Sequence, residues 1–341
     1  MRDLIDKLNR EKSLSLLEYR ALIQNPDPDY AAAVAKSVNV YKNQVFIRGL
    51  IEISNICKND CLYCGIRASN KECERYRLTK EEILSCVDIG YPLGFRTFVL
   101  QGGEDAYYSD EVVCDIVESI KSRHPDCAVT LSLGERDYLS YKRLFDAGAD
   151  RYLLRHETAD KEHYSRLHPE KMSFDRRMEC LYNLKKIGYQ VGAGFMVGSP
   201  YQTSDTLAKD MKFIEEFSPN MCGIGPFLPH SATPFGKMPA GDCDLTVYLL
   251  SLIRIMKPSI LLPATTALGT ASADGRERGI LAGANVIMPN LSPENTRKKY
   301  ELYNNKLSSG AEAAENLREL KDKMKNIGYE IAVSRGDNYN V

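Results

Sequence analysis

Short apolar runs recur through the middle of the chain, each closed by glycine or polar residues and separated from the next by a stretch with helical spacing. The first, VFIRGLIEIS at 45–54, ends at a cysteine-bearing loop. Further runs of buried-strand type fall at 97–101, 128–133, 151–154, 190–196, 222–227, 260–264 and 285–288. Strands alternating with helices predict a parallel sheet with crossover helices. Eight of them predict an α/β fold of the complete (β/α)8 TIM barrel type. A doubly wound open sheet is the competing architecture. The barrel is preferred because glycines and polar residues recur at the C-terminal ends of nearly all the runs, and in a barrel those ends meet at one mouth.

Before the first run, Leu4, Leu8, Leu14, Leu17 and Leu22 keep helical spacing, and Asn25-Pro26-Asp27-Pro28-Asp29 interrupts it. At least two helices are expected there, forming an N-terminal helical cap over 1–42 ahead of the barrel at 43–310. Thr79 and Glu82 form a capping-box pattern at the start of another helix. The remainder, 311–341, is expected to be a short C-terminal extension: a charged helix over 311–326, a short strand at 329–333 and a mobile end at 336–341.

Composition narrows the function classes. With 45 basic and 46 acidic residues the net charge is -1, which leaves no electrostatic footprint for nucleic acid or an anionic membrane. The first residues lack the apolar core of a signal peptide, and no run approaches the ~18 apolar residues of a membrane span. A cytoplasmic location is therefore expected. Of the ten cysteines, Cys73, Cys86, Cys114, Cys127, Cys180, Cys222 and Cys243 are scattered singly and are expected to be small buried hydrophobes. The five histidines show no zinc or triad spacing. His124, His163 and His168 are expected at the surface, and His156 and His230 at strand ends near the mouth.

The other three cysteines sit together. Cys57-x3-Cys61-x2-Cys64 places three thiols within eight residues of a polar loop. Three thiolates at these spacings can reach three corners of a 4Fe-4S cube and leave one iron free to bind a small molecule. The alternative is a structural zinc site completed by Cys73, although zinc sites ordinarily use two tight pairs and a longer spacer.

Cys57-x3-Cys61-x-Tyr63-Cys64 resembles the signature of the radical S-adenosylmethionine superfamily. The resemblance implies that Cys57, Cys61 and Cys64 hold a 4Fe-4S cluster, that the open iron chelates S-adenosylmethionine, and that reductive cleavage yields a 5'-deoxyadenosyl radical. It also implies that Tyr63 contacts adenine. Gln101-Gly102-Gly103-Glu104 resembles the superfamily's GGE motif, in which the glycines let backbone approach the cofactor and Glu104 accepts from its amino group. At the fourth run's end, Glu157 is assigned to the ribose diol. Arg177, with Arg176 as the possible confusion, is assigned to the methionine carboxylate.

Within that superfamily, CLYCG at 61–65, VLQGGED at 99–105, YLLRHET at 152–158, GIGPF at 223–227, PATTA at 263–267 and NVIMPN at 285–290 are together similar to the HydE maturases of [FeFe]-hydrogenase, in the biotin synthase-like group. This likeness spans about residues 40–310. It implies a substrate cavity lined by Thr130, Arg155, Met221, Thr265, Thr266, Met288, Tyr300 and Tyr303. The implied substrate is a small organometallic molecule, a cysteine-ligated iron carbonyl cyanide, and the implied partners are the other hydrogenase maturases and an external electron donor. Some relatives bind a second cluster through cysteines near the C-terminus; this chain has no Cys after Cys243, and none is expected. Two other readings stay open: a related enzyme acting on a small amino-acid-like substrate, as in methylornithine or biotin synthesis, and a non-catalytic cluster or zinc scaffold.

Overall fold

The computed structural model describes residues 1–307 and 314–339. Eleven strands are named here in chain order: β1 Gln44–Ile47, β2 Gly49–Ser54, β3 Thr97–Gly102, β4 Ala128–Ser132, β5 Arg151–Leu153, β6 Gln190–Ala193, β7 Met196–Val197, β8 Met221–Cys222, β9 Gly225–Pro226, β10 Val286–Ile287 and β11 Glu330–Ala332. All their pairings are parallel. One six-stranded sheet runs β2-β3-β4-β5-β6-β8, a three-stranded one β10-β1-β11, and β7 pairs with β9. Single bridges continue this order, Met221 to Leu261, Pro263 to Val286 and Leu50 to Asn290.

Three of the expected strands, at 45–54, 190–196 and 222–227, are subdivided, and the one at 260–264 is reduced to single bridges. The run at 45–54 changes partner at Arg48: β1 lies against β11, and β2 takes over against β3 from Gly49↔Phe98 onward. On its other side Phe46, Arg48 and Leu50 donate without interruption to the carbonyls of Asn285, Ile287 and Pro289. The run at 190–196 breaks at Gly194, whose φ of 155° turns the chain between β6 and β7. At 260–264 only bridges form, because Pro263 has no N–H to contribute to a ladder.

Helices follow the strands on the outside. Thr79 and Glu82 do form the capping box of the Lys80–Gly90 helix. Three helices precede β1, in keeping with the expected minimum of two: Arg2–Glu11, Leu16–Gln24 and Pro28–Val38. Ser15 and Glu18 box the second, and Asp27 with Pro28 starts the third. They pack against the Ser204–Phe217 and Cys243–Met256 helices. No helix among the described residues is long and apolar enough to cross a membrane.

The C-terminal expectations divide. A 3-10 turn at Ala314–Asn316 leads into the Leu317–Asn326 helix, and β11 supplies the short strand; 311–313 of the expected helix lie outside the described residues. The end at 336–341 was expected to be mobile, yet 336–339 are tied to the fold, with 340–341 outside the described residues. Asn338 donates to the carbonyls of Asn220 and Ser259. Asp337 Oδ1 accepts from Arg151 Nη2 at 2.5 Å, and Arg151, fully buried on β5, also donates to Thr97 Oγ1 and the Arg335 carbonyl. The tail thus neutralises a cation the strand has carried into the interior.

Burial works against ionising Asp337, but Arg151, Gln190 and Arg335 more than offset it and hold the carboxyl at about 2. A carboxyl depressed on folding stabilises above its ordinary value of 3.8 and loses that contribution as pH falls through about 2. Asp337→Asn is expected to flatten the acid limb of the unfolding profile in this window. At neutral pH it should cost about 1 kcal/mol, since the pair is partly open to solvent. Thermal midpoints across a pH series check both.

Candidate active site

The cysteine loop leaves β2 at Ser54 and is held in shape by the side chains of Asn55 at its start and Arg75 beyond it. Asn55 Nδ2 donates to the carbonyls of Glu74 and Lys299, while its Oδ1 accepts from the Tyr76 N–H. Arg75 donates to four carbonyls of the loop, those of Asn55, Ile66, Arg67 and Asn70, at 2.5 to 3.1 Å. One guanidinium with its five N–H groups can organise a stretch of backbone that has no secondary structure of its own. Arg75→Ala strands these carbonyls. It is expected to reduce the iron retained after anaerobic reconstitution to roughly half of wild type or less, as measured by iron per chain.

Gly103, just past β3, explains how the next strand end meets this loop. A Cβ at Gly103 would lie 2.2 Å from the Ile56 carbonyl oxygen and 2.7 Å from Cys57 Cβ, so only glycine permits the approach. Gly103 N–H donates to Ser54 O, and Lys58 N–H to Glu104 O.

Cys57, Cys61, Tyr63 and Cys64 line a cavity of about 310 Å³. Gly102, Gly103, Glu104, Glu157 and Arg177 line it as well, as do Arg155, Thr265, Tyr300 and Tyr303. The loop thiols and the strand-end residues picked out from the sequence therefore share one space. Arg177, and not Arg176, faces it: Arg176 pairs with Glu179 on the helix exterior.

Arg177 is fixed by Glu135 Oε1 at 2.6 Å and by the Arg155 carbonyl at 2.5 Å. Burial opposes its charge, but Tyr164 and Glu135 outweigh that and keep the guanidinium firmly protonated. Glu104 Oε1 accepts the Glu135 N–H at 3.0 Å, and Lys58 stands 3.1 Å from its Oε2. Tyr63 points its hydroxyl at His168 Nε2, 3.2 Å away.

Several buried polar atoms at the cavity lack a protein partner. Arg155 Nη2 lies 3.1 Å from Glu157 Oε2, but out of line for a hydrogen bond, and neither atom has another; Thr265 Oγ1 is also unsatisfied. Unsatisfied groups around one space are what a polar ligand would satisfy. The thiols point the same way: burial pushes Cys61 up to about 12 and Cys64 well above the ordinary thiol range. Thiolates at this position need a cationic metal centre to offset that cost, and three sulfur donors suit iron in a cluster.

Cys73 does not join them. It lies in a separate surface pocket with His230 and Glu301, and Asn55 Nδ2 approaches its sulfur at 3.4 Å. Among the described residues no three His, Cys, Asp or Glu side chains converge as a single metal ion requires. All ten cysteines are free thiols, with Cys86, Cys127, Cys180 and Cys222 buried.

Four expected substrate residues do not line the cavity. Thr130, inside β4, is buried with its hydroxyl unpartnered. Met221 on β8 accepts from Arg48 Nη1 at 2.9 Å and packs with Tyr41, Phe46, Leu261 and Val286, against which Met288 rests. Thr266 opens the Thr266–Ala271 helix, one residue beyond Thr265. Sequence reasoning passed over Ser132, Leu154, Met196, Phe227 and Met172, which do line it. Ser132, Leu154 and Phe227 stand at C-terminal strand ends, a signal that could have found them; Met196 opens β7, and Met172 belongs to a loop with no such mark. The histidine expectations need correcting too. His163 and His168 are buried, held by Thr158 and Pro200 O and by Tyr164 O respectively.

Comparison with known proteins decides the family. A family model described as the Radical SAM superfamily matches residues 51–214, from β2 into the Ser204–Phe217 helix. Over 311 residues the chain is 44% identical to the [FeFe] hydrogenase maturase subunit HydE of Thermotoga maritima, covering 90% of this chain and 88% of that one. The chain belongs to the radical SAM superfamily. Within it, 3-methylornithine synthase of Methanosarcina acetivorans is 27% identical over 303 residues, covering 88% and 84% of the two chains. The crystal structure of methylornithine synthase (PylB) superposes with a TM-score of 0.83 at 26% identity, covering 96% of this chain and 97% of that one. The fold is thus the α/β radical SAM fold, and the chain is a HydE-like radical SAM enzyme using a 4Fe-4S cluster and S-adenosylmethionine.

Proposed function

We propose that this radical SAM enzyme is a maturase of HydE type, acting on the sulfur of a cysteine-ligated iron carbonyl cyanide precursor during assembly of the [FeFe]-hydrogenase H-cluster. The 44% identity to a HydE over nine-tenths of the chain carries the reading. We also propose a complete (β/α)8 barrel over 43–310, preceded by the helical unit 1–42 and followed by 311–341. In support, the bridges from Met221 through Leu261, Pro263 and Val286, and from Asn290 back to Leu50, lead from the last strand of the large sheet towards its first.

When bound, the cluster and cofactor supply reductive cleavage of the sulfonium and a carbon radical. Cys57, Cys61 and Cys64 hold the cluster. Glu104, brought close by the Gly102-Gly103 backbone, accepts from the methionine amino group, Arg177 donates to its carboxylate, Glu157 accepts from the ribose hydroxyls, and Tyr63 borders adenine. Arg155, Thr265, Tyr300 and Tyr303 offer donors to an anionic substrate, while Thr130 supports the wall from inside β4. Met221, Thr266 and Met288 act through packing from behind the wall. Leu154, Met196 and Phe227 exclude water from the reacting atoms. Free thiols throughout suit a reducing compartment, and we place the enzyme in the cytoplasm, with an external electron donor and the other maturases as partners.

The test is reconstituted maturation of an apo-hydrogenase with the other maturases, with and without this chain. Hydrogen evolution that depends on the chain is expected. The second reading, an amino-acid-like substrate, is favoured by the 0.83 TM-score to methylornithine synthase. It prevails if no hydrogenase is activated and an isomerised amino acid accumulates instead.

A further inference from the structure

Beside the cavity lie two fully buried titratable side chains with no part in the scheme above, His156 on the segment after β5 and Asp210 on the Ser204–Phe217 helix. His156 Nδ1 accepts the Gly194 N–H at 3.2 Å, so its ring proton sits on Nε2, which is 3.7 Å from Asp210 Oδ1 and has no partner. Burial, with Arg155 and Arg177 nearby, keeps the imidazole neutral. Asp210 Oδ1 accepts the Ala159 N–H at 2.5 Å.

Between these two anchors stands Glu157, with a φ of 64°. The left-handed region is disfavoured for a long side chain and persists only where neighbours enforce it. Glu157 N–H donates to Gly194 O and its carbonyl accepts from Met196 N–H, which ties its peptide groups to the chain between β6 and β7. The chain leaving it is fixed by Asp210.

We propose that Asp210 is a positioning residue that, through the Ala159 N–H, holds Glu157 in its left-handed conformation and so aims its carboxylate into the cavity. This rests on the reading of Glu157 as the ribose contact. Without Asp210 the segment relaxes out of the strained conformation, and the carboxylate must be recovered on binding.

The test measures S-adenosylmethionine affinity by equilibrium dialysis on anaerobically reconstituted Asp210→Ala, Asp210→Asn and Glu157→Gln, with thermal midpoint and iron content alongside. Asp210→Ala is expected to bind about tenfold more weakly, with a raised KM and little change in kcat for 5'-deoxyadenosine release. Asp210→Asn, which keeps an acceptor for Ala159, should restore affinity to within about twofold. A purely structural role would lower the midpoint or iron content and leave the affinity of the folded fraction at wild type, overturning the proposal. Asp210→Ser, too short to reach Ala159, replaces Asp210→Ala if that variant does not fold; failure of both assigns Asp210 to the fold and overturns the proposal as well. If Glu157→Gln binds as wild type, the ribose reading itself fails. If Glu157→Gln binds weakly while Asp210→Ala does not, the positioning alone fails.

Discussion

Cys61→Ala is expected to lose reductive cleavage of S-adenosylmethionine by about a thousandfold or more, because residues that act as one unit fail together. The loop offers three thiols to one cavity, and the other seven cysteines lie elsewhere. Cys73, nearest in sequence, faces a different pocket. No spare thiol at the cavity replaces the missing one, and the side chain of Met172, with its sulfur 3.7 Å from Cys61, is a thioether without charge. The assay is anaerobic release of 5'-deoxyadenosine under dithionite, with circular dichroism to show that the fold is retained. Full turnover by Cys61→Ala would remove it from the ligand set.

Lys306→Met should be the most damaging single change to stability, at about 3–5 kcal/mol, the usual penalty for leaving a buried charge without its partner. Lys306 pairs with Glu52, which is fully buried on β2, and both are almost closed to solvent. Glu52 Oε2 also accepts from Asn290 Nδ2 at 2.9 Å, and Lys306 Nζ donates to the Tyr300 carbonyl at 2.9 Å. The pair therefore ties β2 to the segment carrying Tyr300 and Tyr303. Two further ties hold that segment to the cysteine loop, from Asn55 Nδ2 to Lys299 O and from Gly65 N–H to Leu302 O. Replacing both charges, as in Glu52→Gln with Lys306→Met, should recover much of the loss, since neither ion is then stranded. Urea midpoints of the two single variants and the double variant complete the cycle. A loss below about 1 kcal/mol in Lys306→Met would place the pair among exposed bridges of little consequence.

Legibility from sequence follows the range of the interactions. The cysteine loop could be read because its three thiols lie within eight residues of chain, and the strand-end residues because a parallel sheet gathers such ends on one side. Glu104, Glu157 and Arg177 accordingly meet Cys57, Cys61 and Cys64 at the cavity. The partner switch at Arg48 could not be read, since it depends on β11, which arrives nearly three hundred residues later. Nor could the seat of the tail at Arg151, where an ion pair joins positions 186 apart. Arg75 and Asp210 look like ordinary charged residues in sequence; only the folded chain shows that one gathers four carbonyls and the other reaches Ala159. The burial of His163 and His168 is hidden for a related reason, as polar residues are expected outside unless their partners can be seen.

The proposed activity requires three cysteine ligands and one iron open to the cofactor. Electron paramagnetic resonance of the anaerobically reconstituted, dithionite-reduced protein, recorded before and after addition of S-adenosylmethionine, tests that most directly. A reduced 4Fe-4S signal whose line shape changes when the cofactor is added is the predicted result. A fully iron-loaded protein whose spectrum is indifferent to the cofactor would contradict it.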